Sequence, residues 1–377
     1  MLSLSILKTN VTYIISDINK AIAFEWIVEY IDRDKINLSF ILINSEPSYL
    51  VDYLKKANIP VYSILCKSKK NIPFAILKCC WALIKFKTDV VHCHLFMANM
   101  IGLTSAKIMC VKLRFYTRHH SDYHHIYYPN AIKWDKYCNN IATQIISISD
   151  NVTSILVNAE NVPKNKIVKI SHGFDVASFI NINNEKVFDL ETKYNSTKKY
   201  PVIGVISRFV ESKGIQYIIP AFQKLLVHYP NALLLLFNAK GGYEKEINKL
   251  LEKIPEDSFK KIEFENNVTC LYRIFNLFIH VPINETAEAF GQTYIECMLS
   301  EIPLIATKSG VGSEIMVNNN NCMEVPYKNS EEIYKMMLKI IQNSKLSNKL
   351  TATAKRTVVE KFTIEKMVFA LEKLYLQ

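Results

Sequence analysis

Short runs of β-branched and other apolar residues alternate with helical stretches from one end of this chain to the other, and few architectures accept that pattern. Such alternation specifies βαβ units, and with them a parallel sheet buried between layers of helices. In the first half, strands are expected at 12–15, 38–42, 61–65, 90–94, 113–117, 144–148 and 167–170, with helices at 21–30, 50–57, 73–86, 98–109, 132–141 and 150–158. The stretch 180–200 is polar, rich in Asn and Lys, and reads as an inter-domain linker holding a short helix at 187–194. The pattern then restarts with strands at 202–206, 233–237, 262–264, 277–280 and 304–306. Helices are expected at 215–229, 244–254, from about 293, and at 331–342, 346–361 and 363–375. Single cores stop growing near about 250–300 residues, so 377 residues predict two α/β domains in tandem, 1–180 and 181–362.

The chain carries a net charge of +11. That suits an anionic partner: a nucleoside diphosphate, an acidic membrane surface or a nucleic acid. Charge alone does not choose among them. The nine cysteines lie scattered in apolar runs without a Cys-x-x-Cys pair, the pattern of reduced thiols in a cytosolic protein. No basic segment precedes a long apolar stretch at the N-terminus, and no run reaches the roughly 18–20 apolar residues of a membrane span. A cytoplasmic protein, soluble or peripheral on the inner face of a membrane, is expected.

In open α/β sheets, ligands bind beyond the carboxyl ends of the strands. Ser207-Arg208-Phe209-Val210-Glu211-Ser212-Lys213-Gly214 occupies such an edge, after a strand and before a helix. A guanidinium fork and an ammonium in one loop can clamp a diphosphate; the plainer reading is two solvated cations. The segment from Val281 to Met298 repeats the strand, loop and helix order, with Glu288 in the loop, Phe290-Gly291-Gln292 at the helix start and Glu296 inside the helix. Free N–H groups at a helix start face an anion. Two carboxylates at that spacing can serve different ligand groups, or Glu296 can simply cap or pair within its own helix. A third turn, Thr307-Lys308-Ser309-Gly310-Val311-Gly312, has the small residues that allow close backbone approach.

The order and spacing of these three loops, together with Asp89-Val90-Val91-His92-Cys93-His94, Ile170-Ser171-His172-Gly173-Phe174-Asp175 and the ending Phe362…Leu374-Tyr375, resemble glycosyltransferase family 4. The resemblance implies the GT-B fold: two Rossmann-like domains facing across a cleft, with 363–377 returning to the N-terminal domain. It implies retaining, metal-independent transfer of a sugar from a nucleoside-diphosphate sugar to a glycan or lipid-linked acceptor, with no cofactor and no nucleic-acid partner. Arg208 and Lys213 match the basic pair on the donor diphosphate, with Ser207 beside them. Glu288 matches the glutamate on the donor sugar, and Glu296 the one on the ribose. Phe290, Gly291, Gln292 and Gly310 match backbone and loop positions near the phosphates. One departure is plain: the first loop, Ile15-Ser16-Asp17-Ile18-Asn19-Lys20-Ala21, lacks the family's glycine pair. Asn19 in that loop joins the acceptor-side expectation.

Thr117-Arg118-His119-His120-Ser121-Asp122-Tyr123-His124-His125 follows a strand and so lies at the same edge of the first domain. By resemblance His119 is the catalytic histidine that reaches the donor sugar, with His120 the alternative. A metal site is the competing reading of the cluster. His94 either lines an acceptor pocket or is a satisfied core histidine. Asp32-Arg33-Asp34 has the Asp-x-Asp form of metal-dependent transferases but follows a helix, and reads as a solvated turn. Residues 51–90 hold eight lysines against two aspartates, and the helix there carries Phe74, Trp81 and Phe86 beside Lys78 and Lys85. A buried helix with a narrow wet edge is the plainer reading; docking on anionic lipid is the other. Rival functions are a nucleotide-sugar epimerase, a sugar phosphorylase, or a non-catalytic adaptor that binds membrane or nucleic acid.

Overall fold

The structure is a computed structural model that describes residues 8–377; the first seven, on which part of the expectation about the N-terminus falls, lie outside it. The chain divides into two compact units, residues 1–174 with 364–377, and residues 175–363. The first unit holds seven parallel strands: β1 (Thr9–Ser16), β2 (Ile36–Asn44), β3 (Val61–Leu65), β4 (Val90–His94), β5 (Leu113–Arg118), β6 (Gln144–Ser147) and β7 (Ile167–Lys169). Their spatial order, 3-2-1-4-5-6-7, reverses direction between β1 and β4. The second unit has six: β8 (Val202–Ile206), β9 (Leu233–Phe237), β10 (Phe259–Ile262), β11 (Leu277–His280), β12 (Leu304–Ala306) and β13 (Met323–Glu324). They run 10-9-8-11-12-13, so the order reverses between β8 and β11. Each unit is a doubly wound sheet, and in such sheets ligands bind at the reversal, beyond the carboxyl ends of the two central strands.

The central strands are apolar on both faces because helices cover both sides. Every residue of β8, β9 and β11 is buried. The edge strand β10 instead carries Lys260 and Lys261, a common protection for an unpaired edge. That polar start moves the strand to Phe259–Ile262, three residues before its expected beginning. No described helix is long and apolar enough to cross a membrane.

Two boundaries differ from the sequence reading. The helix Val176–Ile180 belongs to the second unit, since Phe179 is buried there and its carbonyl accepts a 3.0 Å hydrogen bond from Arg273. The stretch 180–200 is not a linker. Its helix, Asn184–Tyr194, buries Leu190 and Tyr194 in the second unit, with the Tyr194 ring edge-on to Phe237 at 5.2 Å and its hydroxyl donating to Glu265. Only two inward residues in eleven make such a helix look polar in sequence.

At the other end, the helix Ile364–Tyr375 packs into the first unit's core through Ile364, Met367, Val368, Leu371 and Leu374. Its Tyr375 hydroxyl lies 2.6 Å from both the Tyr13 hydroxyl and His92 Nδ1. Asp32, in the Asp-x-Asp turn, pairs with Lys35 at 2.6 Å and donates its backbone N–H to Glu372 of the same helix.

Candidate active site

The loop after β8 reaches the loop after β11, and glycine makes the approach possible. Gly214 has φ +75, and a Cβ there would sit 1.9 Å from the Val281 carbonyl oxygen. Ile283 N–H donates to Ser212 O at 3.0 Å, pinning the two loops together. The third loop locks in from the other side. Ser309 Oγ accepts from the Glu288 N–H (2.9 Å) and donates to Glu285 O (3.0 Å). Gly310 and Val311 donate their N–H groups to Glu285 O and Phe290 O. Gly310 has φ +54, and a Cβ there would lie 2.6 Å from Phe290 O and 3.0 Å from Glu288 Cβ. The conformation of Glu288 is thereby fixed by backbone on two sides.

Its carboxylate is fixed as firmly. Glu288 Oε1 lies 2.5 Å from Lys213 Nζ and 2.8 Å from His280 Nε2. Burial alone would raise its pKa, but the Lys213 ammonium and the His280 contact outweigh that and hold the carboxyl at about 2. Lys213 and Glu288, 75 residues apart in sequence, thus meet across two loops. Arg208 stands exposed on the same loop, and its side chain has no hydrogen bond or ion pair among the described residues. Ser207, just before it, is buried with its Oγ unpartnered.

Gly291, φ +91, caps the helix Gln292–Leu299, from which Gln292 projects exposed. Phe290 is buried with its ring edge-on to Phe362, so only its backbone is available near the helix start. Glu296 does not pair within its own helix. Its Oε2 accepts a 2.9 Å hydrogen bond from the Tyr272 hydroxyl, and burial raises its pKa against that bond.

Sequence reasoning missed His280 and Tyr272. A histidine at the end of a four-residue apolar strand reads as core, and in part it is: His280 is buried, with its Nδ1 unpartnered. The available signal was position, since His280 is the last residue of the strand beside the reversal point.

In the first unit, the edge of β4 and β5 gathers imidazoles. His94 Nδ1 is 3.0 Å from His119 Nε2, and the His119 ring stacks on His172 at 5.5 Å. His94 is buried against Tyr13, with its Nε2 unpartnered. Burial pushes His172 down to about 4 and His92 to about 3, and His94 and His119 lie well below the ordinary value for the same reason. His120 turns elsewhere. It contacts Asp135 at 3.4 Å, in a network where buried Arg118 bridges Asp135 (3.2 Å) and Glu160. His124 Nδ1 meets the same Asp135 oxygen at 2.6 Å.

Among the described residues, His120, His124 and Asp135 form the grouping whose ligand atoms could share a metal. Burial opposes the Asp135 charge, but hydrogen bonds from His120 and His124 and the Arg118 guanidinium hold its carboxyl below the usual range. These side chains form one ion-pair network with Arg118. In the glycine-free first loop, Asp17 takes φ +51, a conformation short polar residues tolerate. Asn19 lines a hollow of about 610 Å³ with Asn44, Glu46, Tyr49 and Ser63 beyond β2 and β3.

Comparison with known proteins agrees with this arrangement. Residues 188–357 match the family model for glycosyl transferases group 1, and residues 44–178 the model for glycosyltransferase family 4. The α-monoglucosyldiacylglycerol synthase of Acholeplasma laidlawii is 24% identical over 311 residues, covering 78% of this chain and 76% of that protein. The CapM capsular polysaccharide glycosyltransferase of Staphylococcus aureus is 26% identical over 62% of this chain and 61% of that protein. Among solved structures, a glycosyltransferase from Rickettsia africae superposes with TM-score 0.80 at 22% identity, covering 98% of both chains. Anabaena HepE, solved with UDP-glucose, gives 0.81 at 16% identity over 97% of this chain and 98% of that one. Two doubly wound sheets, three interlocked loops and two family matches that between them take in both units lead to one conclusion: the chain belongs to glycosyltransferase family 4 and is a glycosyltransferase of the GT-B fold.

Proposed function

We propose that this enzyme moves a sugar from a nucleoside-diphosphate sugar to an acceptor hydroxyl with retention of anomeric configuration, in the synthesis of a cell-surface polysaccharide, a lipopolysaccharide or a glycolipid. The observation that carries the reading is the Glu288 carboxylate, held ionised between Lys213 and His280 at the head of the second sheet. An ionised carboxylate accepts from sugar hydroxyls, while the ammonium beside it meets phosphate charge. Arg208 supplies the second cation, the start of the helix Gln292–Leu299 supplies N–H groups, and the open oxygen of Glu296 suits a ribose diol. Fixed cations and peptide dipoles of this kind stabilise a departing diphosphate, so the proposed reaction needs no metal. The proposed reaction forms no covalent enzyme intermediate, and the acceptor attacks from the face the diphosphate leaves. His119 is the first unit's proposed catalytic residue, and the hollow lined by Asn19 is its proposed acceptor site. The UDP-glucose complex of Anabaena HepE supports a nucleotide-sugar donor. A cytoplasmic location goes with this reading, and the nine free cysteines favour it.

The test is incubation with UDP- and GDP-sugars, with and without glycan and lipid-linked acceptors. Nucleoside diphosphate should appear only when acceptor is present, and NMR of the product should give the donor's anomeric configuration. Donor epimerised without acceptor, or turnover that demands inorganic phosphate, would replace the reading with a rival. Loss of turnover in EDTA would overturn its metal-free part.

A further inference from the structure

The helix Ile72–Lys85 presents its apolar residues on the wrong side. Ala75, Cys79, Ala82 and Leu83 face the core, as an amphipathic helix requires. The opposite stripe is also apolar: Phe74, Leu77, Trp81 and Ile84 are 67%, 66%, 51% and 60% exposed. Their spacing of three, four and three residues sets them in one row along the helix. The plainer sequence reading, a buried helix with a narrow wet edge, is therefore wrong: the outer edge is wide and greasy.

A second group of exposed apolar side chains lies two helices further on. Ser105 Oγ donates to Ile76 O, which sets the helix Phe96–Ile108 alongside. The Thr104 and Tyr137 hydroxyls, 3.1 Å apart, bring the helix Ile132–Ile141 next in line. That third helix exposes Trp134 and Tyr137, and the turn before it exposes Tyr123, Ile126, Tyr127 and Tyr128. Lysines outnumber acids along these helices: from residue 72 to 137 the chain has seven lysines against Asp89, Asp122 and Asp135, and Asp135 is buried against Arg118. Lys85 lies 5.2 Å over the Trp81 ring and Lys133 5.8 Å over Trp134.

We propose that this three-helix face of the first unit docks on an anionic bilayer, with the Phe74–Ile84 row entering the headgroup boundary and the tyrosine and tryptophan cluster at its rim. Exposed apolar area of this kind marks an interaction surface. Aromatic rings with lysines beside them suit the interface between lipid and water. The charge argues for lipid over a second copy of the chain, because two such faces would oppose lysine to lysine. The proposal does not depend on the sugar-transfer chemistry, and its test is independent of it.

Two of the three tryptophans, Trp81 and Trp134, lie on the face, so the intact protein reports its own docking. The experiment is co-sedimentation with phosphatidylcholine vesicles and with vesicles containing phosphatidylglycerol, with tryptophan emission recorded in parallel. Binding only to the anionic vesicles, a blue shift, and release by salt are expected. Leu77→Glu with Ile84→Glu should abolish binding. Each of Lys78→Ala and Lys85→Ala should weaken it about fivefold. Val227→Glu, an exposed site in the second unit, should change nothing. Circular dichroism and a thermal shift with nucleoside diphosphate confirm that the variants fold and keep the other unit's site. Equal binding to neutral vesicles, or retained binding by the Leu77→Glu/Ile84→Glu variant, overturns the proposal. So does a wild-type dimer that this variant splits into monomers, which would make the face a protein interface.

Discussion

Replacing Lys213 with Met removes the charge that lets Glu288 stay ionised while buried. The Glu288 carboxyl is held at about 2, against an ordinary value of 4.5. A depression of that size is worth about 3 kcal/mol of stability at neutral pH. Its sign is that of a depressed carboxyl: the contribution is fully present above about pH 4.5 and fades as pH falls toward 2. In the Lys213→Met protein, His280 still lies 2.8 Å from the same oxygen. Protonation of the Glu288 carboxyl limits the loss, so a cost of about 2–3 kcal/mol is expected, at the lower side of what breaking a buried pair usually costs. For a unit of this size that lowers the second unit's midpoint by about 4–12 °C.

Calorimetry at neutral pH and again near pH 4 is the assay, with Glu288→Gln and the double variant completing a cycle. Near pH 4 the gap between wild type and Lys213→Met should narrow, because the variant's carboxyl protonates there at little cost. In the cycle, the double variant should be more stable than the two single losses added together, by about 2 kcal/mol. Additive losses, or a Lys213→Met midpoint equal to wild type, would refute the coupling and remove the main physical reason for placing the donor site here.

Arg208→Ala should leave the melting temperature unchanged, since that side chain is exposed and unpartnered. It should nevertheless lower kcat by about 10²-fold or more, and wild-type turnover would take Arg208 out of the site. Acid should unfold the two units in order. His92 and His172, held at about 3 and about 4, bind protons in the unfolded chain from about pH 6.5 downward but not in the folded one. The first unit therefore loses stability between about pH 6.5 and 4, before the second loses the Glu288 contribution. All three tryptophans, Trp26, Trp81 and Trp134, lie in the first unit, so their emission during an acid titration in mild urea reads that unit alone. Emission unchanged down to pH 4 would contradict the burial of these imidazoles.

What the sequence disclosed and what it hid follow one physical division. Strands β3, β4, β8, β9, β11 and β12 fall at their expected residues, because a short apolar run bounded by polar turns is a local signal. β10 slipped because Lys260 and Lys261 disguise it, and β13, at two residues, is too short to carry a pattern. The loop cations and acids were visible for a similar reason: charged residues just beyond strand ends have few structural excuses. His280 and Tyr272 were not, since an aromatic or imidazole ring in an apolar run looks like core until its carboxylate partner, Glu288 or Glu296, is placed beside it. Periodicity also could not orient the helix Ile72–Lys85. With apolar residues on both faces, the pattern names a helix but not its inner side.

The histidines carry the same division one step further. At the edge of β4 and β5 burial removes protons from imidazoles, so His94, His119 and His172 are neutral at physiological pH. A neutral ring has one donor and one acceptor nitrogen. His94 Nε2 is buried without a partner, and buried donors are left unpaired more rarely than acceptors. The His94 proton therefore belongs on Nδ1, donated across 3.0 Å to His119 Nε2. That leaves the His119 proton on Nδ1. A histidine so arranged is a fixed hydrogen-bond donor and not a titrating acid. The composition of the loop, four histidines in seven residues, suggests proton or metal chemistry. Its folded surroundings turn two of them, His120 and His124, into partners of Asp135, and make His119 a neutral donor whose orientation His94 sets.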